Sequence, residues 1–128
     1  MPPVARHPKA RSYRDLIVWQ KAIALVGECF AVAHLLPLDE RFELGKQLRR
    51  SSVSIPANIA EGAGRRHRAD YARFLAIARG SQAEVMTYLD IIEVLGYAPA
   101  ERTQPARDLA IEVGKMLSAM LRLHSEKG

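Results

Sequence analysis

Apolar side chains recur along this chain at alternating steps of three and four. In the first segment Leu16, Trp19, Ile23, Val26, Phe30 and Ala33 fall on one stripe of a helix. Ser12 stands where an N-cap would, and Pro37 stops the run. Asp39 can cap a second helix, with Glu40 and Glu43 in first turns where the helix dipole favours acids. Its stripe is Leu44, Leu48, Ser52, Ile55 and Ile59, with Gly62 and Gly64 at its end. A third helix carries Phe74, Ile77, Ser81, Val85, Tyr88, Ile92 and Leu95, then stops at Gly96. The last shows Leu109, Val113, Met116, Met120 and Leu123, with Pro105 suited to its first turn. No segment sustains the strict alternation of a strand. The pattern predicts an all-α chain: an antiparallel up-down four-helix bundle with the shallow crossings of coiled-coil-like packing.

The stretch RRSSVSIPANIAEGAGRR, from Arg49 to Arg66, breaks the rhythm of the second helix. Pro56 cannot donate to the carbonyl of Ser52, and its ring crowds that group. Unrelieved, an interior proline costs about 3 kcal/mol. A kink near Ser52–Pro56 within one continuous helix is expected; the alternative is a new helix from Ile55, capped by Ser54. Gly62 and Gly64 are expected to end the helix in the left-handed conformation. Ser51, Ser52, Ser54, Ala57, Asn58, Ala60 and Gly62 give a helix face of little bulk, suited to close packing.

The chain has 128 residues, of which 48% are hydrophobic, enough for one cored domain. The expected division is a disordered basic arm over residues 1–12 and a single bundle over 13–128. One cysteine, Cys29, excludes an intrachain disulfide and a thiol-based zinc site, and fits a reducing, cytoplasmic setting. No apolar run approaches the roughly 18 residues of a membrane span, so no membrane partner is expected. The N-terminus lacks the apolar region of a signal peptide. Charge is unevenly placed. Lys46, Arg49, Arg50, Arg65, Arg66, Arg68 and Arg73 face only Glu61 and Asp70 within their segment, so its excess equals the whole chain's +5. Such an excess favours phosphates, largely without base specificity.

Chemistry of other kinds lacks its residues. Glu61 and Glu84, with Arg49, Arg50 and Asn58, can form a polar cluster. A bundle-type metal site needs Glu-x-x-His on two helices, and His7, His34, His67 and His124 are scattered instead. The acids therefore read as interhelix ion pairs, and no metal or cofactor is expected. EGAGRRHR lacks the Gly-Lys-Ser/Thr end of a phosphate loop. No nucleophile has a base beside it, and Cys29 reads as a buried apolar residue; the chain reads as no enzyme. Arg65, Arg66 and Arg68 are expected to project from the second loop. Arg49 and Arg50 point about 100° apart; one is expected to pair with Glu61 or Glu84, the other to face solvent or a second subunit. Only Tyr71 and Phe74 lie near for base stacking, so any binding should go to backbone phosphates. Ile17, Leu25, Val32, Leu75, Met86, Ile91 and Leu117 lie off the main seams, and predict a second apolar surface for self-association.

RDLIVWQKA, QLRRSSVSIPANIAEGAGR and RFLAIARGSQAE resemble, in order and spacing, the 23S ribosomal RNA intervening-sequence proteins, also called the four-helix bundle protein family. The resemblance runs from about Tyr13 to Leu123 and includes Ser54, Pro56, Asn58, Glu61, Gly62, Ser81 and Glu84 of these motifs. It implies an up-down four-helix bundle and a homopentamer. A related protein, the accessory variability protein of diversity-generating retroelements, forms a basic pentameric barrel and binds a reverse transcriptase and nucleic acid. This chain departs from the family at Ser51, where alanine is common, and at Gln82, where leucine is frequent. Together the residues and the resemblance imply a non-enzymatic oligomer that offers a basic surface to RNA or DNA, or to a nucleic-acid enzyme such as a reverse transcriptase. The alternative is a structural, protein–protein adaptor with no nucleic-acid role.

Overall fold

The computed structural model describes residues 12–126. The rest of the expected basic arm lies outside them. A 3-10 turn, Tyr13–Asp15, precedes α1 (Ile17–Leu35), a one-turn α2 (Leu38–Arg41), α3 (Leu44–Ala63), α4 (Arg68–Val94) and α5 (Ala100–Glu126). Among the described residues there is no strand. The four long helices close a ring in which α1 packs on α3 and α5, and α4 packs on the same two. Short connections make consecutive long helices antiparallel, as the periodicity predicts.

Helix ends differ from expectation in instructive ways. Ser12 caps the 3-10 turn, its Oγ accepting from the Arg14 amide at 3.0 Å, and α1 starts only at Ile17 without a side-chain cap. Asp39 belongs to α2, and Glu43 holds the N-cap position of α3, also without a side-chain bond. Gly64 ends α3 with φ −86°, in the right-handed region, which corrects the left-handed end expected there. The left-handed glycine is Gly96, with φ +73°. There the Tyr97 amide reaches the Ile92 carbonyl and the Gly96 amide that of Glu93, closing a Schellman end. Pro105 lies beyond the first turn, because α5 already begins at Ala100 with amides donating to the Pro99 carbonyl.

Helix α3 runs unbroken through Pro56, so no new helix begins at Ile55. Side chains around the proline turn back onto the backbone. Ser52 Oγ donates to the Arg49 carbonyl at 2.9 Å, and Asn58 Nδ2 to the Ser54 carbonyl at 2.8 Å.

The core is rotated from the expected stripe on three helices, keeping of the expected residues Ala33 on α1, Ser81, Val85 and Ile92 on α4 and Val113 on α5. On α1 it is Val18, Ala22, Leu25, Cys29 and Val32, joined by Ala33, whereas Ile23 and Phe30 are each 44% exposed. On α4 Leu75, Ala78, Val85, Leu89 and Ile92 are buried while Ile77 and Leu95 are exposed. On α5 Ala106, Ala110, Val113 and Leu117 are buried and Leu123 is exposed. Leu25, Val32, Leu75 and Leu117, expected outside the seams, are thus core. Small residues explain the shift. Ala22, Cys29, Ala78, Ala106 and Ala110 are wholly buried, and small side chains let helices approach closely, leaving larger neighbours at the flank. Only α3 keeps its expected seam, with Leu48, Ser52, Ile55 and Ile59 all buried.

Helix α1 also corrects the expectation about membrane spans. It has 19 residues and is long and apolar enough, by length and composition alone, to cross a bilayer. A core helix meets the same test, and six of its residues are buried in this bundle.

Two glycines mark close crossings. A Cβ on Gly62 would lie 2.8 Å from Cβ of Phe74 and 2.9 Å from Cδ1 of Tyr71. The glycine is there for the approach of α4, not for a turn. A Cβ on Gly114 would lie 2.6 Å from Nε2 of Gln82. That nitrogen donates to the Ala110 carbonyl at 2.8 Å, and Gln82 Oε1 accepts from Arg79 Nη1 at 2.8 Å. Arg79 Nε in turn donates to Ser118 Oγ at 3.0 Å. Gln82 is therefore a satisfied clasp between α4 and α5.

A second clasp joins the same helices. Arg107 bridges Asp90 at 2.8 Å and Glu93 at 2.7 Å, and Thr103 donates to Glu93 as well. The Thr103 and Arg107 hydrogen bonds hold the Glu93 carboxyl below the usual carboxylate range. A carboxyl depressed by folding adds stability above its unfolded pKa, and that stability is lost as pH falls through the folded value. Acidification from about pH 5 to pH 3 should therefore lower the thermal midpoint more in the wild type than in Glu93→Gln. Equal losses in the two proteins would assign no stabilising role to this carboxylate.

Candidate functional site

The motif residues of α3 and α4 meet in a polar ladder. Ser51 Oγ donates to Glu84 Oε1 at 3.0 Å, and Ser81 Oγ donates to Ser54 Oγ at 2.9 Å. Asn58 Nδ2 donates to the same Ser54 hydroxyl at 3.0 Å. Ser51, Ser54, Asn58, Ser81 and Glu84 are thereby brought together, although 33 residues separate the first pair. This corrects the expected arginine–acid pairing. Arg49 Nη2 donates to the Arg41 carbonyl at 3.2 Å, not to an acid. Glu61 pairs with Arg65 at 2.6 Å, one turn along the chain and far closer than the start of α3.

Arg50 is exposed and stands between two depressions. Toward α4 lies an open polar cleft of about 310 Å³, lined by Gln47, Arg50, Ser51, Ser54, Ser81, Glu84 and Tyr88. Toward α1 lies an apolar trough of about 370 Å³, lined by Phe30, Arg49, Arg50, Val53 and Ser54.

The seven expected cations divide between the two ends of α3. Lys46, Arg49 and Arg50 sit in its first turns; Arg65, Arg66, Arg68 and Arg73 gather around the α3–α4 junction. A helix of 20 residues separates the groups by roughly 25–30 Å. At the junction Arg65, Arg66, Arg68 and Arg73 are all exposed. Arg65 is bound to Glu61, and Arg73 reaches Asp70 at 3.8 Å. Both guanidinium groups also lie over the Phe74 ring, at 4.8 and 4.6 Å from its centroid. Arg66 and Arg68 have no acid partner among the described residues.

One neighbour of this junction was not foreseen. His124, from the end of α5, meets the Tyr71 ring edge-on with centroids 4.7 Å apart. Its Nδ1 is buried without a hydrogen-bond partner among the described residues. Burial raises the Tyr71 hydroxyl above its ordinary value. No local pattern signals a contact between residues so distant in the chain.

Cys29 is wholly buried, and its thiol is pushed up to about 12, first by burial and then by Glu28, with a hydrogen bond involving Ser52 opposing the shift. A thiol held protonated is a poor nucleophile. Among the described residues no three of His, Cys, Asp and Glu gather as metal ligands would.

A family model for the 23S rRNA-intervening sequence protein matches residues 14–119. The chain is also similar in structure to a protein with unknown function from the S23 ribosomal protein family of Bacteroides thetaiotaomicron. The two are 25% identical, with a TM-score of 0.76, over 82% of this chain and 98% of that one. None of the curated proteins matches it.

Proposed function

Starting from the chain's membership of the 23S rRNA-intervening sequence protein family, we propose that it is a non-enzymatic, self-associating bundle whose α3–α4 junction binds the phosphate backbone of RNA or DNA. The observation that carries this reading is the pair Arg66 and Arg68, exposed and without an acid partner among the described residues, beside Arg65 and Arg73. Backbone binding releases counterions, so affinity should fall steeply with salt. A nucleic-acid enzyme such as a reverse transcriptase is a further partner of the same proposal, brought to a shared nucleic acid. Gel shifts of the full chain with duplex RNA and DNA across a salt series test this reading; absence of any shift at low salt would reject it.

A separate observation supports the self-association in this proposal. Phe30 and Val53 are 44% and 46% exposed along the α1–α3 trough. Apolar side chains exposed side by side are a normal mark of a subunit or partner interface. We assign self-association to this face, with a homopentamer as the expected assembly. Five copies of a weak phosphate site would then act together without new interactions. Light scattering at micromolar concentration should give a multiple of 14.2 kDa; a monomer would contradict it, and Phe30→Ser should shift the wild-type assembly toward monomer.

A further inference from the structure

Phe74 lies in the second turn of α4, beside the α3–α4 junction. Its ring gathers two guanidinium groups from either side of that junction. Arg65, just beyond α3, lies 4.8 Å from the ring centroid, and Arg73, on α4, lies 4.6 Å from it. The root of the Phe74 side chain lies tight against α3, where a Cβ on Gly62 would lie 2.8 Å from Cβ of Phe74.

Each of the two arginines also touches a carboxylate, Glu61 for Arg65 and Asp70 for Arg73. Those pairs are open to solvent, with side chains between 40% and 58% exposed. Exposed ion pairs are weakly held and readily exchanged, so a phosphate can displace either acid while the ring keeps the guanidinium in place. Arginine carries large rotamer freedom, and a site that has already restricted it loses less on binding. The same arginines occupy the ring. Tyr71, the other nearby aromatic, is turned against His124. Neither ring is then presented as a platform for a base.

Resting on the phosphate-binding reading above, we infer that Phe74 is the positioning residue of that site. It holds Arg65 and Arg73 ready for neighbouring phosphates of a nucleic-acid backbone and leaves the bases unread.

The test compares the full-length wild type with Phe74→Leu, Phe74→Tyr and a variant carrying trifluorinated phenylalanine at position 74. Fluorination keeps the ring and its packing but withdraws charge from its face, so a purely structural role would not respond to it. Binding of one duplex RNA of fixed sequence is measured across salt. The fluorinated and leucine variants should bind about three- to fivefold more weakly, the size of an exposed cation–π interaction. Their plots of log K against log salt should be shallower by about one to two units, because fewer phosphates are held. Phe74→Tyr should keep wild-type values. Wild-type affinity and slope in the fluorinated variant, or a Phe74→Tyr as weak as Phe74→Leu, would overturn the inference while leaving phosphate binding intact. A wild type that binds no duplex at low salt would instead remove the phosphate-binding reading, and the inference with it. Should Phe74→Leu fold poorly, the fluorinated variant decides alone.

Discussion

Valine in place of Gly62 should destabilise the bundle by about 3 kcal/mol, at the upper end of the usual cost of overpacking. The helix backbone would accept the change, since Gly62 lies within α3 and has no left-handed φ. The obstacle is α4. Even one added carbon would sit 2.8 Å from Cβ of Phe74, 2.9 Å from Tyr71 Cδ1 and 3.3 Å from the Tyr71 carbonyl oxygen. These are not the free ends of flexible chains, so the two helices must separate. Alanine should cost less, because it regains up to about 1 kcal/mol of helix propensity over glycine. A graded fall in thermal midpoint is expected, glycine above alanine above valine, with the valine variant roughly 10 °C below wild type. A valine variant as stable as the wild type would mean that α3 and α4 do not cross tightly at Gly62.

The left-handed helix end expected at Gly62 is absent, whereas its expected place on the close-packing face of α3 holds, and the partner it packs against could not be read. From sequence, a glycine near the end of a helical pattern reads as a stop, because its partner across the crossing is invisible. Gly62 is instead defined by Phe74 and Tyr71, residues on another helix. The polar ladder behaves alike. Ser51 and Glu84 both lie within the motifs that carry the family resemblance, but nothing local joins them. By contrast Glu61 and Arg65, one turn apart, form a pair that helix spacing alone makes readable. The expected pairing with Arg49 or Arg50 passed over the nearer candidate.

The core tells the same story in a different way. Helix count follows from periodicity and antiparallel order from the short connections, and α3 keeps its seam because serines and glycines leave it only one apolar stripe. On α1, α4 and α5 two stripes lie side by side. Ranking by side-chain size selects Ile23, Phe30 and Ile77, whereas packing selects Ala22, Cys29 and Ala78. The choice is set by how closely the helices approach, which the periodicity of one helix does not encode. Of the displaced large residues, Phe30 lies on the α1–α3 trough to which we assign self-association.

Changing Arg65, Arg66 and Arg68 together to glutamine should abolish low-salt binding of RNA and DNA while leaving the thermal midpoint near wild type. Stability is spared because all three side chains are exposed. The one ion pair removed, Arg65 with Glu61, is open to solvent, and such pairs contribute about 0–1 kcal/mol. Binding is not spared, since each phosphate no longer neutralised takes about 0.7–0.9 from the salt slope together with its share of affinity. Arg49→Gln and Arg50→Gln, at the far end of α3, should change binding much less. The decisive measurement is the slope of log K against log salt for one duplex RNA, taken for the wild type and the triple variant in parallel. The account predicts a steep negative slope for the wild type and binding too weak to measure, or nearly flat with salt, for the triple variant. Equal slopes and affinities in the two proteins, or no wild-type binding at low salt, would contradict it and leave the adaptor reading in first place.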